Sequence, residues 1–136
     1  MSDKKIKNLV LTGASRGIGH ATVKRFSSAG WRVITCSRQE VPENCPWSAG
    51  MHDHVKIDLS SMDDILEGAR KIIEKLEGNP LHALVNNAGI SPKSDDNQRL
   101  DTINTSLDCW QQVFQVNFFA PILLAKSLKS SLEDAS

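Results

Sequence analysis

The residues best placed for chemistry lie in Thr12-Gly13-Ala14-Ser15-Arg16-Gly17-Ile18-Gly19. This stretch joins an apolar run, Leu9-Val10-Leu11, to a pattern with helical spacing, so it stands where a strand turns into a helix. Glycines spaced Gly-x-x-x-Gly-x-Gly at such a place suit a phosphate-bearing ligand. Gly13 can make the tight turn out of the strand, while Gly17 and Gly19 leave room for a pyrophosphate and for the helix to pack on the sheet. The helix N-terminus then offers unpaired N–H groups and a partial positive charge to the anion. Such a loop by itself also fits an ordinary strand-to-helix turn, and its position between strand and helix is what gives it weight.

No other constellation in the chain competes with it. Cys36, Cys45 and Cys109 are odd in number and irregularly spaced, so they give neither a metal-ligand pattern nor a disulfide framework and fit reduced thiols in a cytoplasm. His20, His52, His54 and His82 are scattered over different predicted elements, with His82 read as a strand residue, and Ser15 and Ser91 are loop serines without a paired base. The formal net charge is zero with both signs mixed along 136 residues, which points to no nucleic-acid or membrane-surface partner. No apolar run approaches the length of a membrane span and no signal-peptide pattern is visible. The length is that of one domain.

The elements that must position the loop follow from periodicity. Leu9–Leu11 and Arg32–Ser37 read as strands flanking a helix in which Ile18, Ala21, Thr22, Phe26 and Ala29 keep helical spacing and Gly30 marks the end. Residues 41–53 carry Pro42, Pro46, Trp47 and Gly50 without a period and read as an irregular connection. His54–Asp58 alternates like a strand. Ser60 or Ser61 can cap a helix with Ile65, Ala69, Ile72, Ile73 and Leu76 along one face, stopped by Gly78-Asn79-Pro80. Leu81–Val85 is a fourth strand and residues 91–106 are loop by composition. A helix from Leu107 to Leu132 carries Trp110, Val113, Phe114, Phe118, Leu123 and Leu124, too many apolar residues for one packed side, and Pro121 is expected to bend it. This alternation predicts an α/β fold, a doubly wound parallel sheet with helices on both faces.

Several of these residues together resemble the short-chain dehydrogenase/reductase family. The glycine loop looks like that family's cofactor loop. Asp58-Leu59 after the third strand, Asn86-Asn87-Ala88-Gly89 after the fourth, and Asn117 in the long helix match three further family positions in order. The resemblance implies a Rossmann-like domain over residues 1–136 with strand order beginning 3-2-1-4, forming the N-terminal part of a longer subunit. It implies that Gly13, Ser15, Arg16, Gly17, Ile18 and Gly19 surround the pyrophosphate and adenosine ribose, and that Asp58 accepts from the adenine amino group beside Leu59. Asn87, Ala88 and Gly89 would line the cofactor, and Asn86 would tie neighbouring strands. Asp58 also fits a plain helix-start carboxylate. The implied reaction is hydride transfer between a nicotinamide and a small carbonyl or alcohol substrate, in a cytoplasmic homo-oligomer, dimer or tetramer. Asn117 is carried over as the catalytic position that holds a relay water, and by itself it also fits a residue that caps or bends a helix.

Charge speaks to the choice of cofactor. An acid at the end of the second strand grips the ribose hydroxyls of NAD and repels the 2′-phosphate of NADP. Here Ser37-Arg38 stands in that place with Arg16 in the glycine loop, which favours NADP(H) over NAD(H) through charge-assisted hydrogen bonds. The family's Tyr-x-x-x-Lys pair is missing from these 136 residues, which contain no tyrosine. The chain is therefore expected to be an incomplete reductase, inactive alone, with the fourth strand and the face bearing Phe118, Phe119 and Leu123 left unpartnered. The alternatives are a nucleotide-binding module without turnover and an assembly subunit. Substrate is expected to enter near residues 91–106.

Overall fold

A computed structural model describes residues 4–41 and 53–136. Its sheet has four parallel strands in the order β3-β2-β1-β4, where β1 is Asn8–Thr12, β2 Arg32–Ser37, β3 His54–Lys56 and β4 Ala83–Val85. Leu9 pairs with Val33 on one side and Ala83 on the other, and Cys36 pairs with Val55. A central parallel strand is covered on both faces, which is why β1 is buried along its whole length and reads as an apolar run rather than an alternation.

The two faces of the sheet carry separate cores. On one, Val10, Ile34, Val55 and Ile57 pack against Ile65, Ala69, Ile72 and Leu76 of α2 (Met62–Leu76) and Ala120 and Leu124 of α4 (Ala120–Ser127). On the other, Leu9, Leu11 and Val33 pack against Val23 of α1 (Gly17–Ser28), with Phe26 and Trp31 partly buried beside them. The Ser61 hydroxyl accepts from the Asp64 amide at the start of α2, and Asp63 and Asp64 complement the helix dipole there. Close packing of α2 on β3 needs Gly68, where a Cβ would overlap the Ile57 side chain.

Several boundaries and faces differ from the sequence expectations. In α1 the buried positions are Gly19 and Val23; Ile18, Ala21 and Ala29 lie in solvent, so its apolar spacing overstates the packed face. Ile73 of α2 is likewise exposed, one residue past the buried stripe. The third strand ends at Lys56. The Ile57 amide still bonds the Ser37 carbonyl, but the Asp58 amide turns to the Asp64 carboxylate. The fourth begins at Ala83, because the amide of buried Leu81 is taken by the Ser131 carbonyl. His82 therefore lies just ahead of the strand, with its Nδ1 accepting the Asn8 amide at 3.0 Å. Residues 42–52 of the expected irregular connection lie outside the described residues.

The expected long helix is divided. α3 (Leu107–Phe114), capped by the Ser106 hydroxyl, passes into a π turn over Gln115–Phe119, then into α4 and a short α5 (Lys129–Glu133). At the π turn the Ala120 amide donates to the Gln115 carbonyl, five residues back. Pro121 occupies the first turn of α4 and has no N–H for the Asn117 carbonyl, so the helix widens ahead of it.

Candidate functional site

The C-terminal ends of the strands and the turns that follow them enclose a cleft of about 350 Å³. It opens between β1 and β4, where the strand order reverses, the place where open parallel sheets bind ligands. Of the residues expected to bind the cofactor, all but Gly19 line it; Asn86 and Asn117 do not.

The glycine loop is built around two close approaches. Gly13 has φ +68°, a left-handed conformation, and a Cβ there would lie 2.8 Å from the Ala88 Cα. A Cβ on buried Gly19 would overlap the Gly13 carbonyl oxygen and sit 2.7 Å from Asn87 Nδ2. Gly17 is different. It also has positive φ, +58°, yet nothing lies within 4 Å of the place a Cβ would take, so at the start of α1 the loop faces open space. The first amides of α1 have no partner within the helix. Ser15, Arg16 and Ile18 stand exposed around that opening, Ile18 at 78 %.

Across the cleft, the loop after β4 is held by hydrogen bonds that the sequence did not announce. The buried Thr12 hydroxyl accepts from the amides of both Asn87 and Ala88 at 3.1 Å, and the Asn87 amide group donates to the Gly13 carbonyl at 3.0 Å. Asn87 and Thr12 thus tie β1 to β4, the task expected of Asn86, which lies exposed. Position 12 lies within the glycine motif, which is the signal that could have marked it.

Asp58 sits at the end of β3. Its Oδ1 accepts from the Ser60 hydroxyl at 2.7 Å and the Ser60 amide at 2.9 Å. These bonds, the hydroxyl first, hold its carboxyl below the usual carboxylate range against a small opposing effect of burial, and the Arg38 charge adds to the lowering. The carboxylate therefore stays ionised at neutral pH. Leu59 lines the cleft beside it.

Arg16 and Arg38 both line the cleft from separate loops and are exposed. Burial pushes the Cys36 thiol up to about 12, so this cleft residue is protonated at neutral pH and does not act as a nucleophile. Cys36 and Cys109 are free thiols, and Cys45 lies outside the described residues. Among the described residues no group of His, Cys, Asp or Glu is arranged to hold a metal, and no helix is long and apolar enough to cross a membrane.

Asn117 lies in the π turn, apart from the cleft lining. Its side chain accepts from the Ile90 amide at 2.7 Å and donates to the Ile90 carbonyl at 2.8 Å, and so clamps the end of the loop after β4. Ile90, with Gln112 and Val116 from α3 and the π turn, completes the wall on that side; none of the three was singled out from the sequence.

A family model for short chain dehydrogenases matches residues 7–136. This chain belongs to the short-chain dehydrogenase/reductase family. An oxidoreductase of that family from Brucella ovis, solved in complex with a partially ordered NAD, is similar over 96 % of this chain and 60 % of its own, with 62 % identity and a TM-score of 0.92. The protein FixR of Bradyrhizobium diazoefficiens is 51 % identical over 131 residues, which are 96 % of this chain and 47 % of that protein. An NADPH-bound carbonyl reductase from chicken fatty liver shares 25 % identity with a TM-score of 0.72, covering 96 % of this chain and 53 % of its own. The chain thus spans about half the length of the curated family members it matches.

Proposed function

We propose that residues 1–136 form the NAD(P)-binding Rossmann domain of an oxidoreductase that uses NADP(H) in preference to NAD(H) and acts on a small carbonyl or alcohol compound. The observation that carries this reading is the cleft at the strand reversal. It has a glycine loop closed by backbone contacts at Gly13 and Gly19 but open at Gly17, with two arginines beside it. When bound, the nicotinamide supplies or receives the hydride.

The chain's own residues supply binding and orientation. Gly17 and the α1 N-terminus give a pyrophosphate room and donors. Arg16 and Arg38 offer guanidinium donors to a 2′-phosphate, where an acidic residue would repel it. Asp58, ionised and with Oδ1 engaged by Ser60, has Oδ2 left to accept from an adenine amino group. The Asn117 amide is spent on Ile90. Its main-chain carbonyl, denied the Pro121 donor, is the group left to hold a relay water, so the catalytic duty expected of Asn117 falls to its backbone while its side chain positions the loop. These residues contain no tyrosine, and the general acid/base that the family resemblance implies would come from outside them.

The ligands bound in the solved relatives pull both ways, NAD in the Brucella ovis oxidoreductase and NADPH in the chicken carbonyl reductase. The local charge favours NADP(H). Phe114, Phe118, Phe119 and Ile122, each about half exposed along the π turn and its neighbours, give an apolar surface that suits a homo-oligomer. A reduced, cytoplasmic setting suits the free thiols. Titration of the complete polypeptide with NADPH and NADH, followed by a carbonyl-substrate panel, tests the proposal. Tighter binding of NADPH is expected; binding of neither nucleotide sinks it.

A further inference from the structure

The turn that carries Arg38 is fastened from the neighbouring strand by a residue to which neither the family resemblance nor the cleft lining gives a role. His54 opens β3 directly opposite Thr35 of β2. One ring nitrogen, Nδ1, lies 2.8 Å from the hydroxyl of buried Thr35, and the other, Nε2, lies 2.8 Å from the Gln39 carbonyl oxygen. The carbonyl partner fixes the role of Nε2. A carbonyl only accepts, so Nε2 carries a hydrogen and donates it to Gln39, while Nδ1 shares the other hydrogen bond with the Thr35 hydroxyl, which also lies 3.4 Å from the Asp53 carbonyl oxygen.

The same carbonyl also accepts from the Ser37 hydroxyl at 2.9 Å, and the Gln39 amide donates back to that hydroxyl at 3.3 Å. Ser37-Arg38-Gln39 is thereby a closed turn; among the described residues it is held from outside at its start by the Ile57 amide, which donates to the Ser37 carbonyl at 2.9 Å, and at its far end by the imidazole. A further tie from β3, Lys56 to Glu40 at 3.5 Å, is solvent-exposed and weak.

We propose that His54 is a positioning residue for cofactor selection: by bridging Thr35 and Gln39 it fixes the turn and the direction in which Arg38 is presented to the cleft. The inference rests on the 2′-phosphate reading given above. An Arg side chain on a fixed turn binds a phosphate without first ordering its backbone; released, it loses about two- to tenfold in affinity, the cost of immobilising one further flexible group. NADH, which has no 2′-phosphate, does not draw on that arginine and is unaffected.

The test measures dissociation constants for NADPH and NADH, by cofactor fluorescence, in the complete polypeptide and three variants. His54→Asn keeps an amide within reach of Thr35 but is too short for Gln39. His54→Gln restores a donor that reaches Gln39. Arg38→Ala removes the guanidinium. The expected result is a loss of about fivefold for NADPH alone in His54→Asn, recovery in His54→Gln, and a larger NADPH-selective loss in Arg38→Ala. Equal losses for both cofactors in His54→Asn, or none, with Arg38→Ala still selective, overturn the role of His54 and leave the 2′-phosphate reading intact. An unselective Arg38→Ala overturns both. Should His54→Asn fail to fold, unchanged NADPH selectivity in Thr35→Val, which removes the other end of the bridge, overturns the proposal, and a selective loss supports it.

Discussion

Adding one methyl group at Gly19 and one at Gly17 should give opposite phenotypes, because the two glycines do different work two residues apart. At Gly19 the new Cβ overlaps the Gly13 carbonyl oxygen and lies 2.7 Å from Asn87 Nδ2, both part of the tie between β1 and the loop after β4. Backbone cannot rotate away, so α1 must shift bodily. Overpacking of this kind costs up to about 3 kcal/mol, and loss of the Asn87 to Gly13 hydrogen bond adds about 1 kcal/mol. Against a domain stability of about 5–15 kcal/mol, Gly19→Ala should be severely destabilised. At Gly17 nothing lies within 4 Å, and the cost is that of a left-handed alanine, about 1–2 kcal/mol. Its methyl instead enters the space assigned to the pyrophosphate. Urea denaturation of the complete polypeptide should therefore rank Gly19→Ala well below Gly17→Ala, while nucleotide titration of folded Gly17→Ala should show at least a tenfold loss, about 1.4 kcal/mol. Unaltered stability in Gly19→Ala would refute the close approach, and unaltered affinity in Gly17→Ala would refute the placement of the phosphates.

Arg38→Glu should weaken NADPH binding by about tenfold or more, the worth of one charge-assisted hydrogen bond, and NADH binding much less; equal effects by titration would remove the 2′-phosphate from this corner. Thr12→Val leaves the Asn87 and Ala88 amides without their shared acceptor and should cost about 2–3 kcal/mol in chemical denaturation, where a change below about 0.5 kcal/mol would show that the tie is dispensable. Ser60→Ala should move the Asp58 carboxyl back toward its ordinary range. Its depressed titration, a contribution to stability lost as pH falls through the folded-state value, should then shift to higher pH in carboxylate NMR. Phe118→Glu should reduce self-association in sedimentation velocity, and unchanged association would move the oligomer contact elsewhere.

What the sequence made legible was whatever local chemistry decides. The glycine motif, the cap expected at Ser60 or Ser61 and found at Ser61, and the apolar run of β1 each depend on neighbours in the chain. The fourth strand is shorter than its apolar run because the Leu81 amide is claimed by Ser131, fifty residues on, which no window of sequence can show. Asn87 rather than Asn86 ties the strands, and adjacent asparagines are indistinguishable in sequence until the backbone fixes which one faces Gly13. Pro121 announced a disturbance in the long helix but not its form. That form depends on the turn around Asn117, whose side chain reaches across to Ile90. The role of His54 was invisible because its partners come from a different strand and its turn.

The π turn also bears on how this protein can change length. An α-helix advances about 100° per residue, so a widened turn acts like a vernier: it holds one residue more than the regular repeat without moving the two ends it joins. Removing a single residue between Gln115 and Phe119 would restore ordinary winding and leave α3, with Gln112 on the cleft wall, in phase with α4, whose Leu124 is locked into the core, whereas the same deletion within α3 or α4 would rotate one against the other by that angle. Substitutions here disturb one contact at a time. A one-residue deletion in the regular helices disturbs the phase of everything before it, so chain length is held tightly in α3 and α4 and loosely at the π turn between them.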